Sequence, residues 1–549
     1  MNRIDRRTFL TGAAALAGLT LSACGSGGPG PAQPRAGATL RLPGTDVGFP
    51  SPFAYRGGTG FLQVSYVYDT LLWKDAAGRY GPGLALSFDR APDDLTYTIP
   101  LRQGVTWHDG RPFTADDVVF TFEHQRAFAT KLPPSIINRP NLANVDRVEA
   151  TGPHEVRVAL RSPDWTFEQF NVAAGMFVVP RHVWEPVADP VGERRAELLV
   201  GTGPYRATSP ADGTGAALYE AVDGHWAGRP SVARIEHRPV DDELTALLAG
   251  ELDLAGGVGP GTGLRPSALA PFRDRAQFRI IDSPGHTVTA LYWNLAAGGA
   301  LADGRFRRAL ARAVDRETIN QRVFEGAGLV ASPGLLPPDN PYHAPVEQIG
   351  FDRAAAEAEL DAAGYRRGPN GTRRDLDGRP LSYELLVSRA QPIAPVELVA
   401  ADLGAVGVAA TPVVVDLPAF QQRLNAGQVQ LSLTTFGGLN TDEQPDGLGK
   451  VYSSQSRALQ RAQGFADPEM DRLVLEQRTL LEHADRLRIA ARMQEIAAMA
   501  LPVLPLVHPP LTTVVSTRSF DGWEFTTGGV GGLVPSVVDK RSFGGRPSV

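Results

Sequence analysis

The chain holds a single cysteine, Cys24, among its 549 residues. One thiol excludes an internal disulfide and any metal site built from paired cysteines. Lysine is nearly as scarce. Lys74, Lys131, Lys450 and Lys540 are the whole supply, and the rest of the 54 basic residues are arginines without a cluster at helical spacing, a bias that reads as genomic base composition. None of the four lysines is followed by Ser or Thr, so there is no Walker-type phosphate loop. No G-x-S-x-G elbow or H-E-x-x-H helix occurs either, and these absences argue against an exported hydrolase; no catalytic residue is expected. The ten histidines are scattered without ligand spacing, so neither a protein-held metal nor any other cofactor is expected. A formal net charge of −6 with no basic block excludes nucleic acid as a partner. Beyond the first two dozen residues, no apolar stretch approaches the roughly 20 residues that a membrane-spanning helix needs.

Those first residues have the layout of a secretory signal: Arg3, Arg6 and Arg7, an apolar run from Phe9 to Leu21, then Leu21-Ser22-Ala23-Cys24. The pair Arg6-Arg7 followed by Thr8, Phe9 and Leu10 resembles a twin-arginine export signal. Asp5 and Thr11 depart from that pattern, so a general secretory signal stays open as the alternative. Cys24 stands where bacterial lipoprotein signals carry the lipidated cysteine. Acyl chains contribute about 0.8 kcal/mol per buried methylene, enough to anchor a soluble domain to the membrane. Residues 25–38 then read as a flexible tether. Gly25, Gly27 and Gly30 match G-x-G-x-x-G, but no strand precedes them and no helix follows.

Hydrophobic content of 43% supports a large core, and the length suggests more than two structural domains. Strand and helix signals mix throughout. Ala38 to Leu42 alternates like an opening strand, Phe61 to Trp73 is apolar at helical spacing, and Thr96 to Leu101 reads as a strand. Thr114 with Asp117 forms a capping box opening a helix through His124. Gly304 to Gly326 reads as one long amphipathic helix, Arg353 to Ala363 and Val396 to Val406 as two more, and Asp467-Pro468 as a helix start. Val503 to Val507 looks like a buried strand.

Several motifs carry a family resemblance. YDTLL at Tyr68 to Leu72 and PGLALSFDRAPDDLTYTIPLRQGVTWHDGRPFTADDVVFTFE at Pro82 to Glu123 closely resemble the extracytoplasmic peptide, nickel and opine binding proteins of ABC importers. GTGPYR at Gly201, HWAGRP at His225, LYWNL at Leu291, FRRALARAVDRETI at Phe306, AAGY at Ala362, ADLGAVGV at Ala401 and MALPVLPL ending at Leu506 extend the match in family order. Residues of the first block read as structural: Gly104 and Gly110 supply turns, Trp107 and Phe113 anchor a core, and the adjacent His108 and Asp109 are not a catalytic pair.

The resemblance implies an α/β, periplasmic-binding-protein-like fold of two lobes (class II, cluster C) with an extra inserted domain. It divides the chain into signal 1–24, tether 25–38, a discontinuous first domain of 39–76, 201–298 and 506–549, an inserted domain of 77–200, and a third domain of 299–505. It also implies a non-enzymatic lipoprotein outside the cytoplasmic membrane, expected to be a monomer. Such a chain captures a peptide or other small solute between its lobes, then delivers it to an ABC permease and its ATPase.

In oligopeptide-binding members a G-W-x-A-D stretch supplies the aspartate that takes the ligand's ammonium group, a pairing that a buried charge requires. Here the stretch is LTTFGGLNTDEQPDG, with Phe436 and Gly437 at its start and Leu439 in the aspartate's place. Asp442, three residues on, is a substitute, while Asp442, Glu443 and Asp446 also read as a solvated acidic loop. Arg56 stands where such proteins carry an acidic contact, which would favour an anionic group on the ligand. Tyr55 and Phe436 are candidate aromatic walls. Strand alternation sets Tyr292 and Asn294 on one face of LYWNL and Trp293 on the other; the polar face is expected to line the cleft, with the reverse open. Peptides or peptide-like solutes lead, an opine or chelated metal is the alternative, and a receptor without transport uses the same scaffold.

Overall fold

His108 and Gly203 are 95 residues apart in sequence, yet the imidazole Nε2 lies 2.9 Å from the Gly203 carbonyl oxygen. The His108 N–H also donates to the Gly201 carbonyl at 2.8 Å. Two glycines let the backbones approach so closely. A Cβ at Gly201 would sit 1.8 Å from the Val67 carbonyl oxygen, and one at Gly203 would sit 2.4 Å from that of Tyr66. The G-T-G motif is thus a packing device against the helix Gly57–Val67. These relations come from a computed structural model. It describes residues 37–549 except 75–78, 133–141, 168–174, 211–212, 257–262, 284–286, 438, 440–444, 459–460, 525–539 and 545–549, all within the compact unit Pro34–Val549. The signal and tether readings, with Arg6, Arg7 and Cys24, lie outside the described residues.

The first lobe is built on a sheet in the order Thr39–Pro43, Arg234–Arg238, Ala217–Ala221, Tyr205–Ser209. Its core takes in Phe61, Tyr66 and Val67 from the helix Gly57–Val67 and Phe543 near the C-terminus. A second sheet pairs Leu511–Ser516 with Leu254–Ala255 on one side and Phe278–Ser283 on the other. A separate four-stranded sheet, Asp89–Arg90, Thr96–Pro100, Glu155–Leu160, Val145–Gly152, carries its own core around Tyr97, Trp107, Phe122 and Phe167. The helix beside it, Ala115–Phe128, starts after Thr114 as its sequence requires, with the Thr114 N–H donating to the Asp117 carboxylate at 3.0 Å. Asp117 accepts from the Arg181 N–H as well, so one cap residue ties two helices.

The second lobe is a six-stranded sheet in the order Leu329–Val330, Val503–His508, Val288–Trp293, Leu431–Phe436, Ser382–Ser388, Ala409–Val415. Both faces are covered. Leu291, Trp293, Leu433 and Leu504 pack with the helices Gly304–Ala313, Arg353–Ala362 and Ala394–Ala405, whereas Ala290, Tyr292, Phe436 and Val503 pack with Asp446–Tyr452, Pro468–Thr479 and His483–Ala500. Strand membership therefore places the passages between lobes between Ser283 and Val288 and between His508 and Leu511. Both differ from the expected divisions at 298 and 506. A strand buried on both faces carries no two-residue period that would reveal which sheet holds it.

Two expected helices are also revised. Gly304 to Gly326 is broken into Gly304–Ala313 and Arg316–Phe324, because Asp315 leaves helical geometry and caps the second helix through the Thr318 N–H at 2.9 Å. Phe61 to Trp73 is the helix Gly57–Val67 followed by the strand Leu72–Lys74.

Candidate functional site

Tyr55 closes the first lobe's loop at residues 44–56. It bridges to Gly48, is buried, and packs edge-to-face on Phe61 at 6.0 Å. Arg56 precedes the helix Gly57–Val67 in extended geometry and is exposed, with its guanidinium 2.5 Å from the Asp46 carboxylate. The expectation of a cleft arginine awaiting an anion is thus modified, because Asp46 already answers its charge.

In the second lobe Tyr292, Phe436 and Leu439 share one apolar cluster. Phe436 ends the strand Leu431–Phe436, and half-buried Gly437 follows it. Leu439 is fully buried, so the position of the family's aspartate is part of the core here. Asp442 lies outside the described residues. Tyr292 and the neighbouring Tyr452 are both buried, with hydroxyls that have no hydrogen-bond partner among the described residues. Burial pushes both phenol pKa values up, and Tyr452 is raised further by Tyr292, so both stay neutral hydroxyls.

The alternation expected for LYWNL is present, since Leu291 and Trp293 pack in one cluster and Tyr292 in the other. Asn294, however, follows the strand and acts as a loop staple. Its amide donates to the Val429 carbonyl at 2.6 Å and the Gly427 carbonyl at 3.2 Å, and its Oδ1 accepts from the Ala296 N–H. Those bonds leave no donor of the side chain for a solute. Asp446 departs from the solvated-loop reading, being buried with the Arg478 guanidinium at 2.7 Å.

Sequence reasoning missed a contact between the inserted sheet and the second lobe. Half-buried Trp165 donates its indole N–H to Gln477 Oε1 at 2.9 Å and its backbone N–H to the Arg478 carbonyl at 3.1 Å. The Arg486 guanidinium lies 4.6 Å from the centre of its ring. No local pattern announces a pairing across 312 residues. Among the described residues no group of His, Cys, Asp and Glu could hold a metal ion. Nor is any helix among them long and apolar enough to cross a membrane.

Comparison with known proteins places these features. Residues 79–457 match the model described as bacterial extracellular solute-binding proteins, family 5 middle. The heme-binding protein A of Haemophilus influenzae is 27% identical over 84% of this chain and 85% of its own. The di/tripeptide-binding protein 3 of Pseudomonas aeruginosa is 25% identical over 85% of this chain and 88% of its own. Among solved structures, NikA from Brucella suis in complex with Fe(III)-EDTA superposes with a TM-score of 0.77 at 22% identity, covering 90% of this chain and 98% of that one. The periplasmic binding protein DppA from Helicobacter pylori, in complex with the peptide STSA, gives 0.74 at 20% identity, covering 91% and 98%.

Proposed function

Because the chain belongs to family 5 of the bacterial extracellular solute-binding proteins, we propose that it captures peptides or peptide-like solutes between its lobes and delivers them to an ABC permease. The observation that carries this reading is the two-lobed architecture, each lobe built on its own sheets. The likeness to di/tripeptide-binding and dipeptide-binding relatives supports the ligand class. We assign the cleft to the 44–56 loop of the first lobe, with Tyr55 and Arg56, and to Phe436, Gly437 and Asp442 of the second. Tyr292 shares the apolar cluster of Phe436, and Asn294 holds the 427–429 loop in place.

With Leu439 buried, the ligand's ammonium group needs another carboxylate, and Asp442 supplies it; Arg56 lines the cleft in its ion pair with Asp46. Twin-arginine export and lipidation of Cys24 keep the chain on the outer face of the membrane, where it works as a monomer beside its permease. It performs no chemistry on its ligand. Uptake of a labelled tripeptide mixture by host cells with and without the gene tests this role. Uptake should fall on deletion and return with the intact chain but not with Cys24→Ser. Unchanged uptake on deletion would contradict the importer reading.

A further inference from the structure

We propose that Trp165 is the clasp that holds the lobes closed. The proposal rests on the solute-binding reading above, and it concerns a residue of the inserted sheet rather than the cleft walls. Three interactions converge on this one side chain and its amide. The helix Pro468–Thr479 ends where its last carbonyls have no intrahelical donor, and the Trp165 backbone N–H, coming from the other body, satisfies that of Arg478 at 3.1 Å. The indole N–H reaches Gln477, which is fully buried, at 2.9 Å. The ring is faced by Arg486, whose guanidinium is itself held by the carbonyls of Leu480 and Leu481, both at 2.7 Å. A cation fixed by other partners loses little freedom on meeting the ring, and the guanidinium of arginine suits such stacking.

The Trp165 loop is shaped in advance. Asp164 accepts from the Thr166 N–H at 2.9 Å and the Thr166 hydroxyl at 2.6 Å, while Asn144 bonds the Ser162 carbonyl at 2.9 Å. On the opposite side, both residues that Trp165 contacts at the helix end also hold Asp446. Arg478 pairs with it at 2.7 Å, and Gln477 donates to it at 3.3 Å. Asp446 opens the helix Asp446–Tyr452, directly after the segment assigned to the ligand. The indole is a positioning residue, because it acts on ligand affinity only by raising the closed fraction.

A second link between the bodies provides the comparison. Ser267 donates its N–H to Glu325 at 2.7 Å and its hydroxyl at 2.5 Å, but both residues are exposed, where such bonds are weak.

The test uses the full chain with Cys24→Ser, which is then free of cysteine, and donor and acceptor dyes on Leu86→Cys and Leu475→Cys, both at exposed sites in the two bodies. Energy transfer in the ligand-free protein should show a closed population. Trp165→Ala should lower the closed-to-open ratio roughly ten-fold, from the loss of one hydrogen bond and one cation–π contact. Trp165→Phe, which keeps a ring, should lower it less, and Ser267→Ala should barely change it. All three variants should keep the parent's melting midpoint to within a few degrees. A Trp165→Ala ratio equal to the parent's, or a parent with no closed population, would overturn the clasp. Neither result bears on peptide uptake, which tests the solute-binding reading separately.

Discussion

In the first lobe a residue late in the chain is fastened by a buried ion pair, and in the second lobe buried arginines fasten loops to backbone carbonyls. Lys540 Nζ lies 2.6 Å from the Asp69 carboxylate and 3.9 Å from the centre of the Trp73 ring. Asp69 also accepts from the Thr202 hydroxyl at 2.9 Å and the Trp226 indole at 3.0 Å. In the second lobe Arg307 donates to the carbonyls of Leu301, Ala500 and Leu501, Arg316 to that of Ala331, and Arg373 to those of Val406 and Tyr365. The guanidinium carries five N–H donors spread over three nitrogens in a rigid plane, so it spans carbonyls farther apart than the three donors of one ammonium nitrogen do. The arginine bias read from composition therefore has a structural use here. One lobe fastens its late segment through a carboxylate–ammonium pair, the other fastens these loops chiefly through guanidinium-to-carbonyl bonds.

The sharpest way to break this comparison is Lys540→Ala. It leaves Asp69 charged and buried without its partner, and should remove about 3–5 kcal/mol from unfolding measured in urea. The double variant Asp69→Asn, Lys540→Met should recover much of that loss. Next in size, Arg307→Lys strands carbonyls at the end of the helix His483–Ala500 and should cost about 1–3 kcal/mol. An Arg307→Lys loss as large as that of Lys540→Ala would erase the distinction between the lobes.

Acid should sharpen it. Burial alone would raise the Asp69 pKa, but the Lys540 ammonium and His225 outweigh it and hold the carboxyl below its ordinary 3.8. A carboxyl depressed in the folded state gives stability that is present above its unfolded pKa and is lost as pH falls through the folded one. That contribution drains below about pH 4. His108 and His237, also in the first part of the fold, are pulled down to about 4 from 6.5, chiefly by burial. The unfolded chain takes up their protons first, so stability should already decline as pH drops from 6.5 towards 4. His108→Gln should make that decline shallower by about one proton in a pH series of urea midpoints. An unchanged slope would remove His108 from the account.

The smallest expected effect on stability belongs to the proposed cleft. Asp442→Asn should leave unfolding of the free protein within about 0.5 kcal/mol of the parent. It should instead lose most of the stabilisation that a peptide confers, as read by the ligand-induced rise in midpoint.

Much of the frame was legible because local rules and tertiary demands agree. Asp467 caps the helix Pro468–Thr479 as its Asp-Pro start requires, Gly364 ends the helix Arg353–Ala362 in left-handed geometry, and Val503–His508 is the buried strand its composition suggests. The break at Asp315 was hidden by apolar periodicity that continues through it. The site was less legible. Asn294 looks like a cleft residue by alternation, yet the strand ends at Trp293 and the amide turns to the 427–429 loop. Asp446 looks like a loop acid, yet Arg478 and Gln477 bury it. Such roles depend on partners tens to hundreds of residues away, where no period in the sequence connects them.

Thermal unfolding of the full chain with Cys24→Ser, against di- to pentapeptides, opines, sugars, haem and nickel chelates, tests solute capture most directly. A ligand at a hundred times its dissociation constant adds about 2.7 kcal/mol, enough to raise the midpoint by several degrees. Peptides should produce that rise and chelates should not. A rise with haem or chelates alone would contradict the peptide assignment, and no rise with any compound would contradict solute capture itself.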